Sequence, residues 1–203
     1  MLRRIHRATA LLLGLFLLAH IGNHLIALAG VSAHIAAMEG LRAIYRNPLI
    51  ECLLLAAFAL QMVTGGARLI AGWRGRKGKV AWLQAGTGAY LAVFLFIHVS
   101  AVSGARTGGV DTNFHFAAAG LHVPHLPWFF VPYYTLAVAC LFTHLGCAGF
   151  WALLDRGRKR QAGRFLVGMA AAGGLIATVI TAILAGLIVP VEIPASYLRP
   201  LGG

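Results

Sequence analysis

Acidic residues are scarce in this chain. Asp and Glu together number 5 in 203 residues, against 17 Lys and Arg, and charged residues make up 11% of the sequence. Hydrophobic residues reach 60%, and the mean hydropathy is +0.81. Soluble domains carry about 25% charged residues, so this composition excludes an ordinary soluble domain and indicates a membrane protein.

Cysteine is also scarce, which limits how a cofactor could be attached. The three cysteines are Cys52, Cys140 and Cys147, and no two of them have the C-x-x-C spacing. Covalent c-type haem attachment requires C-x-x-C-H, and an iron–sulfur cluster normally requires four thiolates. We therefore interpret the cysteines as apolar helix residues.

The net charge of +12 first suggests a nucleic-acid-binding protein, but the distribution of the basic residues excludes it. They form three clusters at the ends of apolar segments, a pattern typical of the cytoplasmic loops of membrane proteins. The clusters are Arg3, Arg4 and Arg7; Arg74, Arg76, Lys77 and Lys79; and Arg156, Arg158, Lys159, Arg160 and Arg164.

Five apolar stretches are long enough to cross a bilayer, which takes roughly 20 residues per helix. Backbone polar groups must be satisfied within each segment in lipid, so the sequence predicts an all-α fold, a single bundle of five transmembrane helices over residues 1–203. A short interfacial helix is predicted at 32–46, before Asn47 and Pro48. The predicted spans are 8–29, 48–72, 81–103, 131–154 and 163–190.

The basic clusters predict the orientation of the bundle. They place the amino terminus and the loops 73–80 and 155–162 in the cytoplasm, so five crossings leave the carboxyl terminus outside. We expect a multi-pass protein of the inner membrane of a bacterium, with surrounding lipid as its first partner. The long outer loop at 104–130 carries three histidines and a run of aromatic residues.

Four histidines lie within the predicted spans, where polar side chains are costly and often functional. His20 and His24 lie in the first span, His98 in the third and His144 in the fourth. At about 1.5 Å per residue, His98 is level with the histidines of the first span in the outer half of the bundle. Depth alone does not separate His20 from His24, which lies one turn away.

Two imidazoles from different helices at one depth can ligate haem iron from both sides and form a low-spin, electron-transferring site. His144 lies deeper, in the inner half, and the span that runs beside it at that depth has no histidine. Gln61 and Met62 occupy the matching positions. The residues therefore predict a haem between the first and third spans and leave the partner of His144 open.

Three segments together resemble the five-helix, di-haem cytochrome b subunits of succinate dehydrogenases and fumarate reductases. The resemblance extends over essentially the whole chain, and the stretch L-Q-x-x-T-G followed by a histidine is its most specific part. The segments are RIHRATALLLGLFLLAH (4–20), WLQAGTGAYLAVFLFIH (82–98) and PYYTLAVACLFTHLGCAGFW (132–151).

The resemblance implies that His20 and His98 ligate the outer haem and that His144 is one ligand of an inner haem. The family's second inner ligand is a histidine of helix 2, where this sequence has Gln61 and Met62. One haem b is therefore expected, and a second depends on a partner for His144. The resemblance also implies that quinone is the substrate and that a flavoprotein and an iron–sulfur subunit dock on the cytoplasmic face.

Several further residues are candidates for the same chemistry. His6 and Arg7 match the H-R pair at the inner start of helix 1 in this family, near quinone or a haem propionate. His24 is a candidate for a hydrogen bond to quinone or water. On the outer side, the candidates for pairing with haem propionates are Arg42, Arg46 and Arg106.

Two other functions fit the same sequence. The first is a stand-alone haem and quinone oxidoreductase that faces the periplasm, with His115, His122 and His125 near its mouth; these histidines are also a weak zinc or copper signal. The second is a haem-free scaffold or transporter, for which helix breaks at Gly65-Gly66 and Gly173-Gly174 would give support, although such small residues more often allow close helix packing.

Overall fold

The chain folds into a bundle of long helices in the computed structural model, which describes residues 1–202. No strand occurs within those residues. Five helices are long and apolar enough to cross a membrane, which fits a multi-pass membrane protein. They are α1 (Leu2–Ile26), α3 (Pro48–Ala71), α4 (Lys79–Thr107), α6 (Pro127–Leu154) and α7 (Lys159–Leu184). The short helices are α2 (Val31–Tyr45), α5 (Phe114–Ala119) and α8 (Ala195–Leu198).

The predicted spans are confirmed as helices, with differences at their ends. The last one was predicted to reach residue 190, but α7 ends at Leu184. Gly186 has a φ of 74°, a left-handed conformation that an α-helix cannot continue through. The first span is longer than predicted, because the basic residues before position 8 continue the helix back to Leu2.

Side-chain contacts show that neighbouring long helices run antiparallel. His6 near the start of α1 contacts Thr64 near the end of α3, and Arg106 at the end of α4 pairs with Glu51 at the start of α3. Gln84 in early α4 accepts a hydrogen bond from the indole of Trp151 in late α6. The helices follow one another around the bundle, with α1 against α3, α3 against α4, α4 against α6 and α6 against α7.

Glycines bring α6 and α7 into the closest packing of the bundle. A Cβ on Gly146 would lie 3.0 Å from Cβ of Met169, and a Cβ on Gly173 would collide with Phe142. Small residues let two helix backbones approach in this way. Both α3 and α7 continue unbroken through their glycine pairs, so neither pair marks a helix break, and Gly173 serves packing.

The buried core lies toward one end of the bundle, under the connections that follow α1 and α4. Phe114 at the start of α5 is fully buried there, against Ala27 and the last turn of α7. Asn113 caps α5 by accepting a hydrogen bond from the His115 amide. Many large apolar side chains remain exposed on the outer faces of the long helices, as expected for a surface that meets lipid.

Charges are separated between the two ends of this antiparallel bundle. The end that contains residue 1, called here the amino-terminal face, also carries loops 72–78 and 155–158 with the basic clusters. The opposite face carries Glu39, Glu51, Asp111 and Glu192. The predicted helix before Asn47 is present as α2, on the opposite face.

Candidate functional site

The imidazoles of His20 and His98 meet across the bundle, one from α1 and one from α4. Their ring centroids are 6.2 Å apart and their planes are inclined at 67°. Two imidazoles that share one metal ion each place a nitrogen about 2 Å from it, so their centroids lie roughly 6 Å apart. The observed separation therefore fits a pair of axial ligands on one iron.

Each of these two imidazoles is supported by a phenylalanine one turn earlier on its own helix. Phe16 stacks on His20 at 5.7 Å and 18°, and Phe94 stacks on His98 at 5.2 Å and 15°. Side chains four residues apart lie on one face of a helix, so the spacing F-x-x-x-H produces both stacks. The stacks restrict the rotation of both rings.

A flat cofactor between these histidines requires space between α1 and α4. Within residues 1–202, these two helices are not among the pairs whose backbones pack closely, although their imidazoles meet. Each helix packs against another neighbour instead, α1 against α3 and α4 against α6. The two imidazoles are thus the residues that would hold a haem between α1 and α4.

His24 belongs to a second group of polar side chains, which connects the His20 region to α2. Its ring lies 4.9 Å from that of His20 and 5.2 Å from that of His34. The Asn23 side chain lies 3.0 Å from Nε2 of His34. Several polar atoms in this group are buried without a protein partner, namely Asn23 Oδ1, His24 Nδ1 and His34 Nδ1.

His34 lies in α2, outside the five long helices, and is 3% exposed. Burial, with a further contribution from the Arg42 guanidinium, lowers the pKa of His34 to about 4. A neutral imidazole is the form that a buried site without a carboxylate partner favours. His34 is therefore neutral at physiological pH.

The three arginines predicted to bind haem propionates have different environments. Arg42 is 6% exposed and forms ion pairs of 2.7 Å with Glu39 and with Asp111. Arg106 pairs with Glu51. Arg46 instead donates from Nη2 to the Thr112 hydroxyl at 3.2 Å, and its Nε is buried without a partner among residues 1–202. Of the three arginines, Arg46 is therefore the best placed to form an ion pair with a haem propionate.

His144 is held deep in the bundle by α4. Its Nδ1 lies 3.1 Å from the backbone carbonyl of Gln84 and 3.2 Å from the Thr87 hydroxyl. A carbonyl oxygen can only accept, so Nδ1 carries the proton and Nε2 keeps a free electron pair. This is the tautomer of a histidine that binds a metal through Nε2.

His6 lies near the start of α1 and contacts α3. Its Nδ1 is 3.0 Å from the Thr64 hydroxyl, and its Nε2 is 3.3 Å from the side-chain amide nitrogen of Gln61. Gln61 also accepts a hydrogen bond of 2.5 Å from Thr9. Gln61 is therefore engaged with α1, whereas its neighbour Met62 is half-buried. Arg7, next to His6, is exposed.

The three histidines of residues 104–130 have separate environments. His122 donates from Nε2 to the carbonyl of Leu184 at 2.9 Å, His115 lies beside Tyr197 with ring centroids 5.9 Å apart, and His125 is exposed. Residues 1–202 contain no group of three or more His, Cys, Asp or Glu side chains arranged to hold a metal ion.

A groove lined by aromatic side chains opens on the bundle surface between α4 and α6. Its volume is about 270 Å³, and its walls include Tyr90, Phe94, Trp128 and Tyr133. Phe94 forms part of this wall and also stacks on His98. The groove is thus one side chain away from the paired imidazoles.

Comparison of this chain with protein-family models, with curated proteins and with solved structures finds no match in any of the three.

Two features of the site have signals in the amino-acid sequence. One is the repeated spacing F-x-x-x-H, at Phe16 with His20 and at Phe94 with His98. The other is the dipeptide Thr-Gly, which occurs at 64–65, 87–88 and 107–108. The threonines of the first two contact a histidine from a neighbouring helix.

Proposed function

We propose that this chain is a membrane b-type cytochrome that exchanges electrons with membrane quinone, and that His20 and His98 ligate its haem. The observation that carries the proposal is the 6.2 Å separation of the two imidazole centroids across α1 and α4. When bound, haem b supplies one-electron redox chemistry. Together with the two phenylalanine stacks, the separation favours bis-histidine ligation over two unrelated packing histidines.

The surrounding residues support this role. Phe16 and Phe94 hold the two imidazoles in place through their stacks, and orientation of ligands by neighbouring groups is general in metal sites. Arg46, which lacks a carboxylate partner among residues 1–202, is the candidate for pairing with a propionate. His24 contacts His20 and would border the haem edge.

The aromatic groove between α4 and α6 is the candidate quinone site. Quinones are flat and largely apolar, so an aromatic-lined groove open to lipid suits them. Tyr90 offers a hydroxyl there, which donates to the backbone carbonyl of Tyr133 at 2.9 Å. Phe94, shared between the groove and the His98 stack, would bring a bound ring close to the haem ligand.

The resemblance to succinate dehydrogenase and fumarate reductase cytochrome b subunits supports an anchor role in a larger oxidoreductase. In that role, the basic amino-terminal face would lie in the cytoplasm of a bacterium and the carboxyl terminus outside the inner membrane. A flavoprotein and an iron–sulfur subunit would then dock on the basic loops 72–78 and 155–158, provided that they present an acidic surface. Co-purification of these subunits separates the anchor from a stand-alone, periplasm-facing oxidoreductase.

The proposal predicts that His98→Ala and His20→Ala each abolish the haem held between α1 and α4. Either substitution removes one axial ligand and leaves the stack of the other intact. The measurement is a reduced-minus-oxidised visible spectrum of purified protein, with haem quantified per chain. His125→Ala, which changes an exposed histidine, is the control and should keep the full signal. Full haem content in both ligand variants would refute the assignment.

A further inference from the structure

Two imidazoles beside the His20–His98 pair have free ring nitrogens inside the protein. The rings of His24 on α1 and of His34 near the start of α2 have centroids 5.2 Å apart. Within residues 1–202, Nδ1 of each ring is buried without a hydrogen-bond partner. A buried polar atom that has no partner costs free energy in the folded chain. A ligand shared by the two nitrogens would remove that cost.

The separation of the two rings fits one shared metal ion in a bent arrangement. A ligating imidazole nitrogen lies about 2 Å from a metal ion, which places the ring centroid roughly 3 Å from it. Centroids on opposite sides of the ion are then roughly 6 Å apart, and centroids at about the tetrahedral angle are roughly 5 Å apart. The 5.2 Å between His24 and His34 matches the bent arrangement, whereas the 6.2 Å between His20 and His98 matches the opposed one.

Asn23 is placed to fix the tautomer of His34. Its side chain is buried, and its amide lies 3.0 Å from Nε2 of His34. Rotation of this amide about its last bond presents Oδ1, which is otherwise buried without a partner among residues 1–202, to a proton on Nε2. Nδ1 then keeps the electron pair. Histidine ligands of metal ions are commonly oriented in this way, by an oxygen that accepts from the other ring nitrogen.

Met38 supplies a third ligand from the same face of α2. The helix runs back along α1, since His34 lies beside His24 and the ring of Tyr45 lies 5.5 Å from that of Phe16. Met38 falls between these two contacts, one turn after His34, and is 6% exposed. Side chains four residues apart share a helix face, so the Met38 thioether faces α1 as the His34 imidazole does.

The surroundings favour an ion of low charge. Arg42, one turn beyond Met38 on the same face, forms ion pairs of 2.7 Å with Glu39 and with Asp111. These two carboxylates are therefore committed to a guanidinium. The fully buried ring of Phe114 covers His34, with centroids 5.2 Å apart. Because the cost of burying an ion rises steeply with its charge, such a site favours a monovalent over a divalent metal ion.

We propose that His24, His34 and Met38 bind one copper(I) ion, through Nδ1 of each imidazole and the thioether sulfur. Soft sulfur ligands select copper(I), and imidazole also suits copper. The thioether is essential, since residues 1–202 hold no group of three His, Cys, Asp or Glu side chains that could bind a metal ion. The site goes beyond the proposed function, because none of its ligands is an axial ligand of haem.

The first test is a titration of the purified protein with copper(I) under ascorbate, in competition with the chelator bathocuproine disulfonate. Free cysteines would also bind copper(I), so the three in this chain, Cys52, Cys140 and Cys147, are first replaced by alanine. One copper(I) per chain is expected in this cysteine-free protein. His34→Gln should lose this stoichiometric binding, and the exposed-residue variant His125→Gln should keep it.

A matched pair of methionine variants tests the thioether. Met38→Leu conserves volume, so the bundle should fold, but its affinity for copper(I) should fall by roughly tenfold or more. Met62→Leu, which changes a half-buried methionine of α3, should leave the affinity unchanged. X-ray absorption at the copper edge should show a sulfur ligand in the cysteine-free chain and none in Met38→Leu.

Asn23 acts as a positioning residue, and two substitutions test that role. Asn23→Leu removes the oxygen that orients His34 and should weaken copper(I) binding by roughly 10- to 100-fold, while the sulfur ligand stays in the absorption spectrum. Asn23→Asp keeps an acceptor for the Nε2 proton and should retain binding. Equal affinities for the two variants would show that the amide does not orient His34.

Haem content is measured separately in each variant, so the two proposals can fail independently. His98→Ala should lose haem and keep copper(I), and Met38→Leu should keep haem. No copper(I) binding in the cysteine-free chain, or equal affinities for Met38→Leu and Met62→Leu, would overturn the inference and leave the proposed function standing. Tighter binding of zinc(II) than of copper(I) would overturn the choice of metal. A chain that binds copper(I) but no haem would overturn the proposed function alone.

Discussion

A buried imidazole is a good metal ligand when one ring nitrogen is anchored and the other is free. Hydrogen bonds from Nδ1 fix that state for His144, whereas aromatic stacks orient His20 and His98. By contrast, His122 uses Nε2 to hold the end of α7. The environment of each histidine, more than its position in an apolar helix, therefore separates candidate ligands from structural residues.

His34 should make stability depend on pH. Its pKa is about 4 in the folded chain and about 6.5 when unfolded, so the unfolded chain binds more protons between these values. Stability is then full above pH 6.5 and falls as the pH drops toward 4, with a loss of about 1 to 2 kcal/mol between pH 7 and pH 5. Thermal unfolding in detergent at pH 7 and at pH 5 measures this loss of stability.

The control for this prediction is the exposed residue His125. His34→Gln should reduce the acid-induced drop in the unfolding midpoint, because glutamine does not titrate. His125→Gln should leave the drop as large as in the wild type. An equal drop in the unfolding midpoint of all three proteins would show that protonation of His34 does not cause the loss of stability.

For single residues, the sequence predicted part of the site, namely that a histidine of α1 lies level with His98. Helical rise alone brings His20 or His24 level with His98, but the choice between them depends on which face of α1 meets α4. The structure separates them, because the His20 ring is 6.2 Å from that of His98 whereas His24 lies between His20 and His34. The contacts of His6 with Thr64 and of His144 with Thr87 could not be predicted, because each joins two helices whose packing is not written in either segment.

At the scale of helices, composition predicted the spans well and their ends less well. Apolar runs define where a helix can cross a membrane, so all five were found. Their ends depend on local conformation, such as the left-handed Gly186 that follows α7. The glycine pairs had two interpretations in the sequence, and packing partners that lie on other helices decide between them.

Gly173→Ala should destabilise the contact between α6 and α7. An added methyl would collide with Phe142 close to the backbone of α6, where neither helix can move without disturbing the whole interface. We expect a loss of about 1 to 3 kcal/mol, as for other overpacked cores. The measurement is the thermal unfolding midpoint of the purified protein in detergent.

Gly174→Ala is the matched control, since a Cβ at Gly174 has no atom within 4 Å. Alanine is the better helix former, so this change should be neutral or stabilise by up to about 1 kcal/mol. Equal midpoints for the two variants would show that the close approach at Gly173 does not limit stability.

For the whole molecule, the separation of charge between the two faces is the basis of the proposed orientation. Short basic loops resist translocation across the membrane during insertion. The amino-terminal face carries all three basic clusters, and the opposite face carries four of the 5 acidic residues. This asymmetry is a property of the assembled bundle, because antiparallel packing brings distant loops to the same face.

The proposed orientation in a bacterial inner membrane predicts which loops a membrane-impermeant thiol reagent can reach from outside. In a chain with its three cysteines replaced by serine or alanine, a cysteine at Gly109 should react in spheroplasts. A cysteine at Gly157 should react only after the membrane is permeabilised. Both positions have a positive φ and lie in exposed loops, so their reagent access is comparable. The opposite labelling pattern would invert the bundle, placing the basic amino-terminal face on the outer side and away from any cytoplasmic partner.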